Sequence, residues 1–228
     1  MSFSSTKAQL EQLAGLNIAS HFFYQVFHQA PSESFMAALK DEQLMNHWPG
    51  ESDSPESVRG LTQLKSSVDA FIPEKFDTIA QDYAALFVGP GRLKAAPWGS
   101  VYLTEEQTTC GESTLAIKAF YRELGIEIDT GENEPEDHIG LIFAFLAHLT
   151  DHALDAATGE EEQMQPWLCA TKAFLTDHVL TWAPRFLDIM GENSDTPFYK
   201  GVSELAKSTL QQFEQITEAE YRIVRLYR

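Results

Sequence analysis

The side chains best suited to chemistry stand together in the stretch NEPEDHIG, residues 133–140. Asn133 and Glu136 have the spacing of a capping box, so the pattern predicts a helix start at which acidic residues complement the helix dipole. His138 is not explained by this role, because the positive end of the dipole disfavours a protonated imidazole. Two further interpretations stay open: an acid–base pair formed by Asp137 and His138, or carboxylates that bind a cationic ligand.

Two more histidines, His148 and His152, lie one helical turn apart, a spacing that metal sites use. The zinc protease pattern requires a glutamate directly after the first histidine, and Leu149 stands there instead. The chain also has neither a G-x-S-x-G nucleophile motif nor a G-x-x-x-x-G-K-[ST] phosphate loop. We therefore predict no catalytic residue, no metal site and no cofactor. A metal-dependent or acid–base enzyme built on Asp137, His138, His148 and His152 remains the alternative.

A stretch rich in glycine and proline, GPGRLKAAPWGSVYL at residues 89–103, interrupts an otherwise helical pattern. Gly89, Pro90, Gly91 and Pro97 disfavour regular structure, yet the stretch carries the large aromatic Trp98. Loops on a rigid scaffold often carry recognition, so one interpretation places the Trp98 ring in a ligand groove. The other interpretation is that the loop folds back and buries the ring. The letters VYL at 101–103 are expected to form a short extended piece.

The charge of the chain is strongly acidic. Its 16 basic and 34 acidic residues give a formal net charge of −18 at pH 7. No lysine or arginine occurs between Arg122 and Lys172, which makes the middle of the chain the most negative part. Nucleic acid is excluded as a partner, because phosphate binding depends on clustered Lys and Arg. A cationic partner would instead be attracted over a distance.

Cysteine use and hydropathy bear on the cellular compartment. The two cysteines, Cys110 and Cys169, are too few for a disulfide framework, which favours a reducing compartment. The amino-terminal residues lack a basic region followed by an apolar run, and no segment approaches the roughly 18 consecutive apolar residues of a membrane span. We expect a cytoplasmic protein without stable membrane insertion.

Apolar residues recur at helical spacing along the chain, and the pattern predicts an all-α helical bundle of about nine or more helices. Ser54 followed by Pro55 predicts a capped helix start, and Gly89 and Gly125 predict helix ends. Besides a helix that follows Ser32, the predicted helices cover residues 6–28, 54–71, 73–88, 111–125, 135–157, 161–179, 183–190 and 196–214.

The polar stretch at residues 129–136 suggests that the helical bundle is divided into two subdomains. In that division residues 1–128 form the N-terminal subdomain with the loop 89–103, residues 129–136 form a hinge, and residues 137–228 form the C-terminal subdomain.

Three motifs in order, DYAALFVGPG, APWGSVYL and NEPEDHIG, resemble the TorD/DmsD family of redox-enzyme maturation chaperones. The stretches WAPRFLD and PFYKGVSELAKSTL extend the resemblance over most of the chain, and it is closest to the DmsD branch. Together the motifs are fairly specific, whereas each alone is weak. One departure is Ala96, where that branch usually has a second proline before the tryptophan.

The resemblance implies an all-helical, cytoplasmic chaperone that is not an enzyme. Such a protein binds the twin-arginine signal peptide of a molybdopterin-containing reductase, here of the dimethyl sulfoxide reductase type. It holds the signal until folding and cofactor insertion are complete, before export. The export machinery is a further expected partner, and the protein is expected as a monomer or as a dimer exchanged across the hinge at 129–136.

The resemblance also implies a set of peptide-binding residues. We assign the carboxylates of Glu134 and Asp137 to the two arginines and His138 to ordering those carboxylates through hydrogen bonds. We assign Trp98, Phe87 and Leu86 to binding the apolar part of the signal. The full set comprises Leu86, Phe87, Pro97, Trp98, Gly99, Glu134, Asp137 and His138.

Overall fold

The computed structural model describes residues 7–41, 44–50, 52–73, 76–126, 134–157 and 163–228. Within these ranges the chain forms α-helices and no strand, which confirms the all-α prediction. A 3₁₀ turn lies at Leu44–Asn46, and π-helical turns at Ala84–Val88 and Leu175–Val179 continue α4 and α8. The helices are α1 (Lys7–His28), α2 (Glu33–Asp41), α3 (Pro55–Asp69), α4 (Phe76–Tyr83), α5 (Gly99–Leu103), α6 (Glu112–Glu123), α7 (Ile139–Ala157), α8 (Gln165–Phe174), α9 (Ala183–Asn193) and α10 (Pro197–Thr217).

Local capping signals explain several of the helix ends. The Ser54 hydroxyl accepts a hydrogen bond from the Ser57 amide at 3.1 Å, which confirms the predicted cap of α3. Thr196 caps α10 in the same way, and a proline follows each of the two caps. Gly89 ends the π-helical turn with a φ of 102°, a value that favours glycine. These ends are set by a few neighbouring residues.

Two predicted elements differ from the structure. The letters VYL at 101–103 belong to the short helix α5 rather than to an extended piece. The helix predicted from residue 135 begins instead at Ile139, because the main chain at Asp137 and His138 pairs with the Trp98 loop. The predicted cap residue Asn133 lies outside the described residues.

Helix α7 lies in the hydrophobic core and packs along α1. Its sequence is long and apolar enough to cross a membrane by length and composition alone, contrary to the expectation that no segment comes close. In the fold, 61% of that apolar window is buried against other helices. The Asn17 side chain of α1 donates to the Ala147 carbonyl at 2.9 Å and to the Asp151 carboxylate at 2.8 Å, which fixes the register of the two helices.

The principal core draws buried side chains from both predicted subdomains, for example Phe27 and Leu64 from the first, and Phe143 and Phe186 from the second. Residues 127–133, most of the predicted hinge, lie outside the described residues. The division into 1–128 and 137–228 therefore stays a prediction.

The close approach of α3 and α10 generates a stability prediction. A Cβ atom at Gly201 would lie 2.8 Å from the Leu64 amide nitrogen and 2.9 Å from the Gly60 carbonyl oxygen. Both are backbone atoms, so a side chain forces the helices apart. We expect Gly201→Ala to lower the free energy of unfolding by about 1–3 kcal/mol, despite a helix propensity gain of roughly 1 kcal/mol.

Urea unfolding followed by circular dichroism measures this change. Gln211→Ala, an exposed position on the same helix, is the control and is expected to leave the midpoint nearly unchanged. A Gly201→Ala protein as stable as the parent would contradict the described helix contact.

Candidate functional site: the junction of the Trp98 loop with helix α7

The Trp98 loop, residues 89–98, folds back along the π-helical turn that precedes it. The Lys94 amide donates to the Ala85 carbonyl at 3.2 Å, and the Ala95 amide donates to the Leu86 carbonyl at 3.1 Å. These bonds satisfy carbonyls at the end of the helix and bury Ala95, Ala96 and Pro97. The loop is therefore irregular in shape but fixed in position.

The end of this loop pairs with the residues just before α7. The Ile139 amide donates to the Pro97 carbonyl at 2.8 Å, and the Gly99 amide donates to the Asp137 carbonyl at 3.1 Å. Between them, Trp98 and His138 form an isolated antiparallel bridge. Two of the sequence motifs, APWGSVYL and NEPEDHIG, thus meet in space, although Trp98 and His138 are 40 residues apart in the sequence.

Asp137 caps α5 from outside that helix. Its carboxylate is fully buried, and Oδ2 accepts a hydrogen bond from the Ser100 amide at 2.6 Å. An acceptor with negative charge is favourable at this position because the first amides of a helix have no partner within it. Among the described residues no hydrogen-bond partner reaches Oδ1 of Asp137 or the Ser100 hydroxyl.

Trp98 is half-buried at the edge of the junction. Its indole N–H donates to Oε1 of Glu134 at 2.5 Å, and its ring lies 5.9 Å from the His138 ring at an angle of 66°. Glu134 is also half-buried, so an aromatic face and a carboxylate lie side by side and partly accessible. The loop neither projects Trp98 into solvent nor buries it completely.

His138 lies behind this pair and is 5% exposed. Its Nδ1 accepts a hydrogen bond from the Gly140 amide at 3.1 Å, and its ring lies 6.0 Å from that of His28. Burial, and secondarily the neighbouring His28, lowers the pKa of His138 from 6.5 to about 3. The imidazole is therefore neutral at pH 7, and its described hydrogen bond is to the backbone rather than to Glu134 or Asp137.

Gly99 allows the junction to pack closely on its inner side. A Cβ atom there would lie 2.7 Å from Nε1 of Trp182, whose indole stacks on Tyr102 with ring centres 5.6 Å apart. The Trp182 indole itself donates to the His178 carbonyl at 2.9 Å. The predicted site residue Gly99 thus serves close packing, and its main chain rather than a side chain forms part of the junction.

The structure divides the predicted site residues into three groups. Trp98 and Glu134 are partly accessible, whereas Pro97, Gly99, Asp137 and His138 form the buried junction behind them. Leu86 and Phe87 lie in the hydrophobic core, where the Phe87 ring contacts those of Phe27 and Phe186. In this conformation these two residues support the Trp98 loop from below and offer no surface to a ligand.

The site also contains residues that the sequence did not single out. Lys118 of α6 forms an ion pair with Glu136 at 2.5 Å, and the Tyr121 hydroxyl donates to the Glu136 carbonyl at 3.3 Å. Burial, with the charges of Glu136 and Asp137, raises the pKa of Tyr121 well above its usual range, so this hydroxyl stays protonated. Helical periodicity placed both residues on α6 but carried no information about their distant partners.

The residues of the alternative enzyme are not assembled into one site. His148 stands ten residues beyond His138 along α7, which corresponds to about 15 Å of helix rise. Its ring lies 4.5 Å from that of His152, and His152 stacks on Trp167 at 4.3 Å. The described part of the chain holds no group of three or more His, Cys, Asp or Glu side chains that could bind a metal ion.

Comparison with known proteins identifies the family of the chain. The family described as nitrate reductase delta subunit matches residues 51–188. The Tat proofreading chaperone DmsD of Salmonella typhi is 30% identical over 192 residues, covering 84% of this chain and 83% of the relative. The probable Tat proofreading chaperone DmsD of Haemophilus influenzae is 30% identical over 216 residues, 95% and 98% of the two chains. The chaperone protein TorD of Vibrio cholerae is 29% identical over 187 residues, 82% and 79%.

The chain therefore belongs to the nitrate reductase delta subunit family and, within it, to the TorD/DmsD group of redox-enzyme maturation chaperones. These relatives are named chaperones and not enzymes, so the enzyme alternative built on Asp137, His138, His148 and His152 is not favoured.

The pKa of His138 generates a pH prediction. Above pH 6.5 the folded and unfolded states both hold a neutral imidazole, whereas between about 6.5 and 3 only the unfolded state takes up a proton. We therefore expect the free energy of unfolding to decrease as the pH is lowered through this window. His138 contributes a decrease of about 1.4 kcal/mol for each pH unit.

Urea unfolding of the parent and of His138→Gln at pH 7.5 and 5 measures the effect. The variant is expected to lose less stability on acidification than the parent. His47→Gln is the control, because His47 is exposed. Equal losses in the parent and in His138→Gln would show that His138 is not buried as described.

Proposed function

We propose that this chaperone binds the twin-arginine signal peptide of a molybdopterin-containing reductase in the cytoplasm. It holds the signal until the reductase has folded and received its cofactor, so that export follows assembly. We further propose a client of the dimethyl sulfoxide reductase type, because the likeness extends over most of the chain to proteins named DmsD. The observation that carries the proposal is the accessible pair of Trp98 and Glu134 at the loop–α7 junction.

The Trp98–Glu134 pair has the chemistry to recognise arginine. A guanidinium can stack on the indole face while its N–H groups donate to a carboxylate, and arginine is the residue best suited to both contacts. The indole N–H occupies one oxygen of the Glu134 carboxylate and thereby fixes its orientation towards the ring. A peptide arginine would then meet two contacts that are already positioned, which lowers the entropy lost on binding.

The buried members of the predicted set would act by holding this pair. We assign Asp137 to positioning, because its carboxylate caps α5 and has no exposed surface through which to reach an arginine. His138 supports the Trp98 ring from behind, and Leu86 and Phe87 support the loop from the core. Contact of the peptide with Pro97 and Gly99 would involve the main chain on the accessible side of the loop.

The acidic charge of the whole chain would assist the encounter. A formal net charge of −18 attracts a cationic peptide over a distance that salt shortens. The affinity for the arginine pair is therefore expected to fall as ionic strength rises, while contacts with the apolar part of the signal are much less sensitive.

Calorimetric titration with a synthetic twin-arginine signal peptide tests the proposal. We expect binding by the parent protein, and binding about tenfold weaker or more for Glu134→Gln and for Trp98→Phe, which keeps a ring but loses the indole N–H donor. A tenfold change corresponds to about 1.4 kcal/mol, a usual cost of losing a charge-assisted hydrogen bond.

Two controls distinguish an effect at the candidate site from an effect of the net charge of the protein. Glu33→Gln makes the same change of charge at an exposed position of α2 and is expected to bind like the parent. A peptide with both arginines replaced by glutamine is expected to bind weakly to all of these proteins. No binding of the original peptide by the parent would refute the proposed function, whereas binding that Glu134→Gln and Trp98→Phe leave unchanged would refute the site.

A further inference from the structure

The chain carries an arginine-rich segment of its own beyond α10. Helix α10 ends at Thr217, the following residue Glu218 turns the chain with a left-handed φ of 55°, and residues 219–228 have no regular secondary structure. Residues 221–228, YRIVRLYR, are named here the basic segment, and they hold three of the 16 lysines and arginines of the protein. In an otherwise acidic chain this is a local concentration of positive charge next to apolar residues.

Backbone hydrogen bonds hold this part of the chain on the protein surface at two places. The Glu220 amide donates to the Thr176 hydroxyl at 3.1 Å, beside the π-helical turn Leu175–Val179. The Tyr227 amide donates to the Tyr102 carbonyl of α5 at 2.9 Å, and the Gln107 side chain donates to the Tyr227 carbonyl. The basic segment therefore runs from the π-helical turn to the helix that directly follows the Trp98 loop.

Two of the three arginines of the basic segment contact other parts of the protein, and the third contacts the segment itself. Arg222 forms an ion pair with Asp177, and the Arg228 guanidinium donates to the main-chain carbonyls of Leu93 and Lys94, the latter at 3.2 Å. Arg225 lies instead over the ring of Tyr227 in the same segment, 4.9 Å from its centre. Arg222 and Arg228 thus contact other parts of the protein, whereas the described contact of Arg225 lies within the segment.

The basic segment is shallowly packed. Ile223 is 94% exposed, Tyr221 53% and Val224 40%, and of its aliphatic side chains only Leu226 packs against the principal core. Little apolar surface leaves water when the segment docks, so its displacement costs little. These exposed apolar side chains therefore add little to the binding of the segment to the fold.

The surface beneath the basic segment has the features that an arginine-bearing peptide requires. It offers the Asp177 carboxylate at one end and the carbonyls of Leu93 and Lys94 at the other, two positions that already hold guanidinium groups. Between them lies the position where Leu226 contacts the core. The second position is part of the Trp98 loop, so the basic segment and the candidate site contact the same loop.

We propose that this surface is a second part of the signal-peptide site and that the basic segment occupies it as an internal competitor until the peptide displaces it. The inference rests on the proposed function and adds to it the place of the ligand and a means of regulation. The peptide arginine bound by Trp98 and Glu134 stays there, and other basic and apolar side chains of the signal peptide would take the positions now held by Arg222, Leu226 and Arg228. Without a bound peptide, the basic segment would in this way cover a peptide-binding surface of the chaperone.

The test compares two double variants of the full chain in titrations with the twin-arginine peptide. Arg222→Gln with Arg228→Gln removes both guanidinium contacts of the basic segment and keeps Leu226. Arg225→Gln with Lys65→Gln makes the same change of charge and serves as the control, because within the described residues the contact of Arg225 is to its own segment and Lys65 is exposed on α3. We expect the first variant to bind the peptide about three- to tenfold tighter than the charge-matched control.

Equal affinities of the two double variants would overturn the inference while leaving the proposed function in place. Absence of binding by the parent and by both variants would refute the proposed function, and the inference with it. Hydrogen exchange supplies a second readout on the parent: saturation with peptide must speed exchange of the Tyr227 amide, which is bonded to Tyr102 in the docked state. Unchanged exchange in the peptide complex would also overturn the inference.

Discussion

The hydrogen bond from the Ser100 amide to the buried carboxylate of Asp137 stands at the centre of the contacts that join the Trp98 loop to the start of α7. A carboxylate without exposed surface is costly unless it is bonded, so this contact fixes the Trp98 loop against the start of α7. The bridge between Trp98 and His138 and the bonds of Pro97 and Gly99 all lie within two residues of it. Its loss would uncap α5 and release the loop that positions the Trp98 ring.

The remaining structure supports this junction from two sides. Helix α7 is held in the core by α1, and its first residue receives the chain directly from the junction. On the other side, Trp182 closes against Gly99, where any side chain would collide with its indole. In the proposed function, Trp98 and Glu134 would therefore meet the peptide on a surface that these contacts already hold in place, which lowers the entropy lost on binding. The acidic charge around it acts at longer range and selects for cationic partners.

Sequence reasoning predicted those features that depend on neighbouring residues. The all-α class, the cap at Ser54 and the stop at Gly89 follow from local signals, and the structure confirms them. Helix α5 was missed because its cap, Asp137, comes from a segment 37 residues away, and a local pattern cannot supply a partner of that kind. The start of α7 was placed too early for the same reason, since tertiary pairing overrides the helical preference of the residues before Ile139.

The residues of the candidate site were predicted as a set, but their individual environments were not. Asp137 looked like an exposed acid at a helix start and is instead fully buried, and Phe87 belongs to the core. Burial depends on how distant helices pack, which composition and spacing do not encode residue by residue. The continuity of the basic segment with the Trp98 loop is likewise a tertiary property, because Arg228 and Leu93 are far apart in the sequence.

The most direct test of this account follows the indole N–H of Trp98 by NMR during titration with a twin-arginine signal peptide. The protein has four tryptophans, so the indole region is simple, and Trp98→Phe assigns the resonance by its loss. We expect the Trp98 signal to shift in proportion to binding and the signals of the buried Trp48 and Trp182 to change little. A peptide that binds without moving the Trp98 signal would contradict the central claim that the loop–α7 junction presents the binding site.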